Sequence, residues 1–244
     1  MKKTLLLFLC CLLLISCQNK KGQIVIEGKF KNAKNEWVKI GLIGSDDLIM
    51  LDSVKMKNGT FTFTIPAETD EQKSRAASPM MYQIILSSDN TLTTLAKGGE
   101  HITIEADARN LLASYKVKGG EEAMLMAQLD SALASFVMPT EQLYATYEKN
   151  IENDSVREDI EKQYVVLLQK HKDYLTNFIN KHPNNMASFI AFYQSYNRRS
   201  FFSEQSDIEL LKKITESLKK QYPDNPYVKN MQIRIEMLEL VSNQ

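Results

Sequence analysis

The apolar pattern of this chain changes period once, at Gly119-Gly120. Before that point apolar and polar residues alternate; after it, apolar residues recur at spacings of three and four. A period of two buries one face of a strand, and a period of about 3.6 buries one stripe of a helix. The switch therefore predicts an α+β chain in two segregated halves. Residues 23–118 form an antiparallel β-sandwich or barrel-like domain, and residues 119–244 an all-α helical bundle.

Within the first half, Ile24-Val25-Ile26-Glu27-Gly28-Lys29-Phe30 and Trp37-Val38-Lys39-Ile40 read as strands. A run from Leu48 reaches Asn58-Gly59, and Thr60-Phe61-Thr62-Phe63-Thr64-Ile65 follows it. Asn-Gly between alternating runs predicts a hairpin, because a type I′ turn needs positive φ at both central residues. Further strands are expected over 81–87, 91–96, 101–106 and 113–118, with Gly98-Gly99 turning the second hairpin and 67–79 as a long loop. About eight short strands with turn punctuation and no intervening helix fit a sandwich or barrel.

Past Gly120, helices are expected over 121–137, stopped by Pro139, and over 141–150. The clearest apolar face is Ile160, Tyr164, Leu167, Leu168, Leu175 and Phe178, preceded by Ser155 and Glu158 at capping-box spacing. A helix over 185–196 follows; Ser206 with Glu209 opens another, and Asn225-Pro226 suits the start of the last.

The first residues speak to location. Lys2 and Lys3 precede an apolar run from Leu5 to Ile15 that falls short of the roughly 20 residues of a membrane-spanning helix. Residues 1–16 read as a secretory leader. The run ends Leu14-Ile15-Ser16-Cys17, which resembles a bacterial lipobox, and that resemblance implies a lipidated Cys17 and a tether over 17–22. A plain signal peptide cleaved nearby would leave Cys17 incidental; the fit of all four positions favours the lipobox. Cys10 and Cys11 leave with the leader, so the mature chain holds no free thiol, disulfide or CxxC pair. Losing Lys2 and Lys3 takes a balance of 30 basic and 30 acidic residues to about −2. That excludes the concentrated basic surface of a nucleic-acid binder.

Leu51-Asp52-Ser53 followed by Asn58-Gly59-Thr60-Phe61-Thr62-Phe63 resembles an uncharacterised β-rich domain of Bacteroidetes lipoproteins. That domain often precedes the thioredoxin domain of membrane-anchored thiol–disulfide oxidoreductases of the TlpA/ResA kind. Phe178-Ile179, His182-Pro183 and Tyr222-Pro223-Asp224-Asn225-Pro226-Tyr227 resemble the helices leading into it. The resemblance implies a lipid-anchored envelope protein, and the missing acidic export tag after Cys17 implies the outer membrane, facing the periplasm. No cysteine follows Cys17, so the redox activity carries over to no residue, and the sequence ends at Gln244 without a thioredoxin fold.

No catalytic motif stands out. His101, His171 and His182 lack ligand spacing, and no nucleotide-binding, nucleophile-elbow or metalloprotease pattern occurs. Asp46-Asp47 and Glu121-Glu122 read as turn and helix-start acids. The expectation is a non-enzymatic binding module without cofactor or metal, contacting the membrane through its lipid and another envelope protein or a small ligand. The alternative is an accessory relative of the oxidoreductases, acting with a separate thioredoxin-domain partner. Arg198, Arg199, Phe201 and Phe202, in an expected loop after the aromatic run Phe189 to Tyr196, are the candidate partner contacts. Ser53, Ser131 and Ser155 each follow an aspartate and precede an apolar residue, resembling the acceptor of Bacteroidetes O-glycosylation.

Overall fold

The computed structural model describes residues 22–44, 47–66 and 77–242. The leader, Cys17 and Asp46 lie outside them. The strands are β1 (Ile24–Lys31), β2 (Trp37–Ile43), β3 (Leu48–Lys55), β4 (Thr60–Ile65), β5 (Met80–Ser87), β6 (Asn90–Ala96), β7 (His101–Asp107) and β8 (Lys116–Lys118). They form two four-stranded sheets, ordered β4-β1-β7-β8 and β3-β2-β5-β6. Alternation places Ile24, Ile26 and Phe30 of β1, Phe61 and Phe63 of β4, and Ile102 and Ile104 of β7 in one buried cluster with Val38, Ile40, Tyr82, Ile84 and Leu92 of the other sheet.

One pair departs from the expected antiparallel pattern: β1 runs parallel to β7. The whole of the second sheet intervenes in the chain between them, giving the long crossover that parallel neighbours require. Asn58 and Gly59 do adopt positive φ, 53° and 74°. Yet β3 and β4 belong to different sheets, so the turn is a corner between sheets and not a hairpin within one. The corner is docked on β1, because Phe30 N–H donates to the Gly59 carbonyl at 2.7 Å. A Cβ on Gly59 would stand 2.3 Å from the Phe30 carbonyl oxygen. Gly98-Gly99 is likewise a corner, carrying the chain from β6 to β7 in the other sheet.

The helices are α1 (Leu111–Ser114), α2 (Glu121–Lys149), α3 (Asp154–Lys181), α4 (Met186–Tyr193), α5 (Ile208–Gln221) and α6 (Pro226–Ser242). Pro139 does not stop a helix; α2 runs through it. A proline inside a helix forfeits one hydrogen bond and costs about 3 kcal/mol. Packing offsets this: Phe136 and Thr140 on either side are buried, and the Thr140 hydroxyl donates to the Phe136 carbonyl at 2.8 Å. Expected caps also move. Asn153 and not Ser155 caps α3, its side chain accepting from Val156 N–H, and Asp207 and not Ser206 precedes α5. Asn225 accepts from Tyr227 N–H at 2.9 Å, as its place before Pro226 predicts.

The two halves share one core. Ala123, Leu125, Met126 and Leu129 of α2 join the cluster formed by the sheets. Asn225, fully buried, donates to Ser78 Oγ at 3.1 Å and to the Pro79 carbonyl at 2.9 Å. Tyr227 Oη donates to the Ile43 carbonyl of β2 and accepts from Met81 N–H of β5.

Candidate functional site

After α4 the chain forms a small hairpin, β9 (Ser195–Tyr196) with β10 (Arg199–Ser200), where a helix to residue 196 was expected. Its turn residues Asn197 and Arg198 both hold positive φ, 48° and 62°. Only a tight primed turn demands that of two successive non-glycine residues, and it carries local strain. The result is a fixed platform from which Arg198 and Arg199 reach solvent. Among the described residues neither guanidinium has an ion-pair partner.

Phe201 and Phe202 do not share that exposure. They are only 7% and 6% exposed, so they are core residues and not partner contacts. Phe201 packs edge-on to Phe136 with ring centroids 5.2 Å apart and lies 4.4 Å from His171. Phe202 stacks on Phe192, and the Lys172 ammonium lies 5.1 Å from its ring centre. His171 is itself buried, with Nε2 2.8 Å from Gln194 Oε1. Burial pushes its pKa down, against the hydrogen bond that the ring donates to Gln194. This cluster is the floor on which the Arg198–Arg199 turn stands.

Beside the turn, the distal halves of α2 and α3 separate into an open groove of about 1010 Å³. Thr140, Leu143, Tyr144 and Tyr147 come from α2, Ile160, Glu161, Tyr164 and Val165 from α3, and Tyr196, Asn197 and Arg199 from the hairpin. Spacings of three and four put Tyr144 and Tyr147 near one face of α2, and Ile160 and Tyr164 on one face of α3. The Tyr196 hydroxyl donates to Glu141, and Glu148 lies beside the Tyr144 phenol. Both contacts raise the phenol pKa, because a neighbouring carboxylate opposes ionisation. A shallower depression of about 620 Å³, holding Pro139, Leu143, Val166 and Leu167, lies between the same helices.

The other singled-out residues fall elsewhere. Ser53 is exposed on β3, Ser131 on α2 and Ser155 in the first turn of α3, three separated places. The preceding acids are engaged: Asp52 accepts from Ser53 N–H, Asp130 from the Tyr115 hydroxyl, and Asp154 pairs with Arg157. His101 faces Glu27 at 3.2 Å on the sheet surface. His182, the C-cap of α3, has its pKa lowered chiefly by burial and by the neighbouring Lys181. Among the described residues no group of three metal-ligating side chains converges, and no helix is long and apolar enough to cross a membrane.

Sequence reasoning missed Glu122. It is 2% exposed and accepts from Met186 N–H at 2.9 Å, Ala187 N–H at 3.0 Å and Asn185 Nδ2 at 3.3 Å. It thus serves the start of α4 from the first turn of α2. Burial raises its pKa, and the donated hydrogen bonds oppose the rise. Glu121-Glu122 announced a helix start; nothing local said that the second carboxylate caps a different helix.

The molecule is thus a two-sheet β domain fused through one core to a helical layer that carries a tyrosine-lined groove. Residues 24–126, which take in the β-rich region, match the model of a domain of unknown function, DUF4369. The match ends in α2, just after Glu122, and leaves the groove outside it. No curated protein and no solved structure matches the chain.

Proposed function

We propose that this chain is a lipid-anchored protein of the cell envelope, held at the periplasmic face of the outer membrane through Cys17. It acts as a non-catalytic binding module, and the groove between α2 and α3 is its contact site. The observation that carries this reading is the pair of arginines without an ion-pair partner among the described residues, held on a strained turn beside four tyrosines. Tyrosine and arginine are the residues that dominate binding energy at protein interfaces, and a side chain fixed beforehand loses less entropy on binding. Two measurements test it. Palmitate labelling and membrane fractionation of the full chain should both be lost in Cys17→Ala; retention of both contradicts the anchor. Cross-linking in cells from an unnatural residue at Tyr144, 59% exposed, should give a defined adduct, and its absence contradicts the contact site.

A second reading has the protein serve a separate thioredoxin-domain partner. The β-rich domain match favours it, since that domain resembles the one that precedes thioredoxin domains in envelope lipoproteins. The Tyr144 adduct separates the two: a thioredoxin-domain protein in it supports this second reading, and any other partner removes it.

A further inference from the structure

One end of the molecule gathers cations around the point where the chain enters the fold. Gly99 N–H donates to the Gln23 carbonyl and Val25 N–H to the Glu100 carbonyl, so β1 starts against the loop before β7. A Cβ on Gly120 would stand 3.3 Å from Glu100 Oε2, which puts the start of α2 at the same end. Glu122 brings in the start of α4. Burial, with Glu122, Glu121 and Glu100 nearby, pushes the Tyr222 phenol up to about 12, so α5 ends there too. His182, at the end of α3, lies in the field of Glu121. This end carries Lys97, Lys118, Lys181, Lys219 and Lys220, none with an ion-pair partner among the described residues. Against them stand Asp47, Glu100 and Glu121. Asp224 is paired with Lys229, Glu27 faces His101, Glu122 is buried, and Lys213 and Glu216, further up α5, offset each other. Five lysines against three acids leave about +2 here, on a mature chain of about −2.

Helix ends alone do not account for the cluster. A lysine in a last turn suits the helix dipole, as Lys181, Lys219 and Lys220 do. The starts of α2, α4 and α6 lie at the same end and offset the dipoles of α3 and α5, while Lys97 follows β6 and Lys118 closes β8. The chain leading to this end says what it meets. Cys17 stands six residues before Gln23, at most about 20 Å of extended chain, and Lys20 and Lys21 lie between them. We propose that this end is a docking face for anionic phospholipid, lying on the bilayer that holds the Cys17 lipid. This rests on the anchor proposed above and is independent of the groove. A tether alone lets the body hang anywhere within its reach; the lysines lay this end on the head groups. The far halves of α2 and α3 then project from the surface, since Thr140 lies about 28 Å along α2 from Glu121 at 1.5 Å rise per residue.

The test places the lipidated mature protein in phosphatidylcholine vesicles with and without roughly one-third phosphatidylglycerol. A dye on Asn184→Cys, exposed close to Lys181, reports contact with the surface through quenching by lipid that carries a nitroxide on its head group. Ser88→Cys, exposed in the turn between β5 and β6 at the other end of the sheets, is the control and should stay unquenched. Quenching at Asn184 should be at least about twofold stronger in the anionic vesicles. It should fall to the neutral-vesicle level in about 1 M salt, where the screening length is about 3 Å. Lys219→Glu with Lys220→Glu should abolish the difference without changing the amount of anchored protein, and Lys219→Arg with Lys220→Arg should keep it. Equal quenching in both lipids, or a difference that survives the double reversal, overturns the proposal and leaves these lysines to an acidic protein surface. A protein that enters neither kind of vesicle refutes the Cys17 anchor and this face with it. One that enters both yet is indifferent to the lipid keeps the anchor and refutes the face alone.

Discussion

Glu122 takes two backbone N–H groups at the start of α4 while almost wholly removed from water. Hydrogen bonds to a charged group contribute about 1.5–3 kcal/mol, so Glu122→Ala should destabilise the fold by roughly that amount in urea titration. Its pH dependence has a definite sign. The folded pKa lies above the unfolded one, so the folded state binds the proton more tightly. The carboxyl therefore favours folding most below its unfolded value, about 4.3, and this contribution is lost as pH rises through the raised folded value. Relative to Glu122→Gln, the native protein should gain stability on acidification through that window; a constant difference would contradict the assignment. Phe201 makes the complementary point. As a core residue, Phe201→Ala should cost about 3–5 kcal/mol of stability in the same titration, where a surface contact would cost little. Its burial was not legible from the residues around it, because no local period covers the turn after Tyr196. What buries it is Phe136 and His171, brought from α2 and α3 by tertiary packing.

Among the elements, those with their own periodic signal were readable. Strands such as Thr60–Ile65 and helices such as Ile208–Gln221 carry alternation or an amphipathic stripe within themselves. The parallel partnership of β1 and β7 was not readable, since it depends on which distant strand supplies a matching buried face. Nor was β9–β10, whose two-residue strands are too short to show a period. Pro139 misled for a related reason: local propensity says stop, and the packing of Phe136 and Thr140 against neighbouring elements says continue. Pro139→Ala restores an N–H and removes a steric clash, so it should raise stability by about 1–3 kcal/mol in thermal or urea unfolding. A loss instead would mean that Pro139 itself helps to seat Phe136 among its ring partners.

For the whole molecule, the change of period at Gly119-Gly120 marks a change of layer and not a break between independent units. Gly119 holds a positive φ, and a Cβ there would stand 2.0 Å from the His101 carbonyl oxygen, so the switch itself is packed against β7. The core is continuous across it, and Asn225 and Tyr227 bind the last helix to β2 and β5. Calorimetry should therefore show one unfolding transition for both halves. Asn225→Ala should lower it as a unit by about 1–3 kcal/mol, the cost of orphaned buried partners, and should not split it. Two separate transitions would contradict the shared core.

The central proposal is that the α2–α3 groove is the surface through which the protein meets a partner. Cross-linking in living cells tests that most directly, with a photoreactive residue at Tyr144 in the groove and, as control, at Ile233 on α6. A defined adduct from Tyr144 that disappears in Arg199→Glu, with none from Ile233, is the predicted result. No adduct from Tyr144, or one indifferent to Arg199, contradicts it.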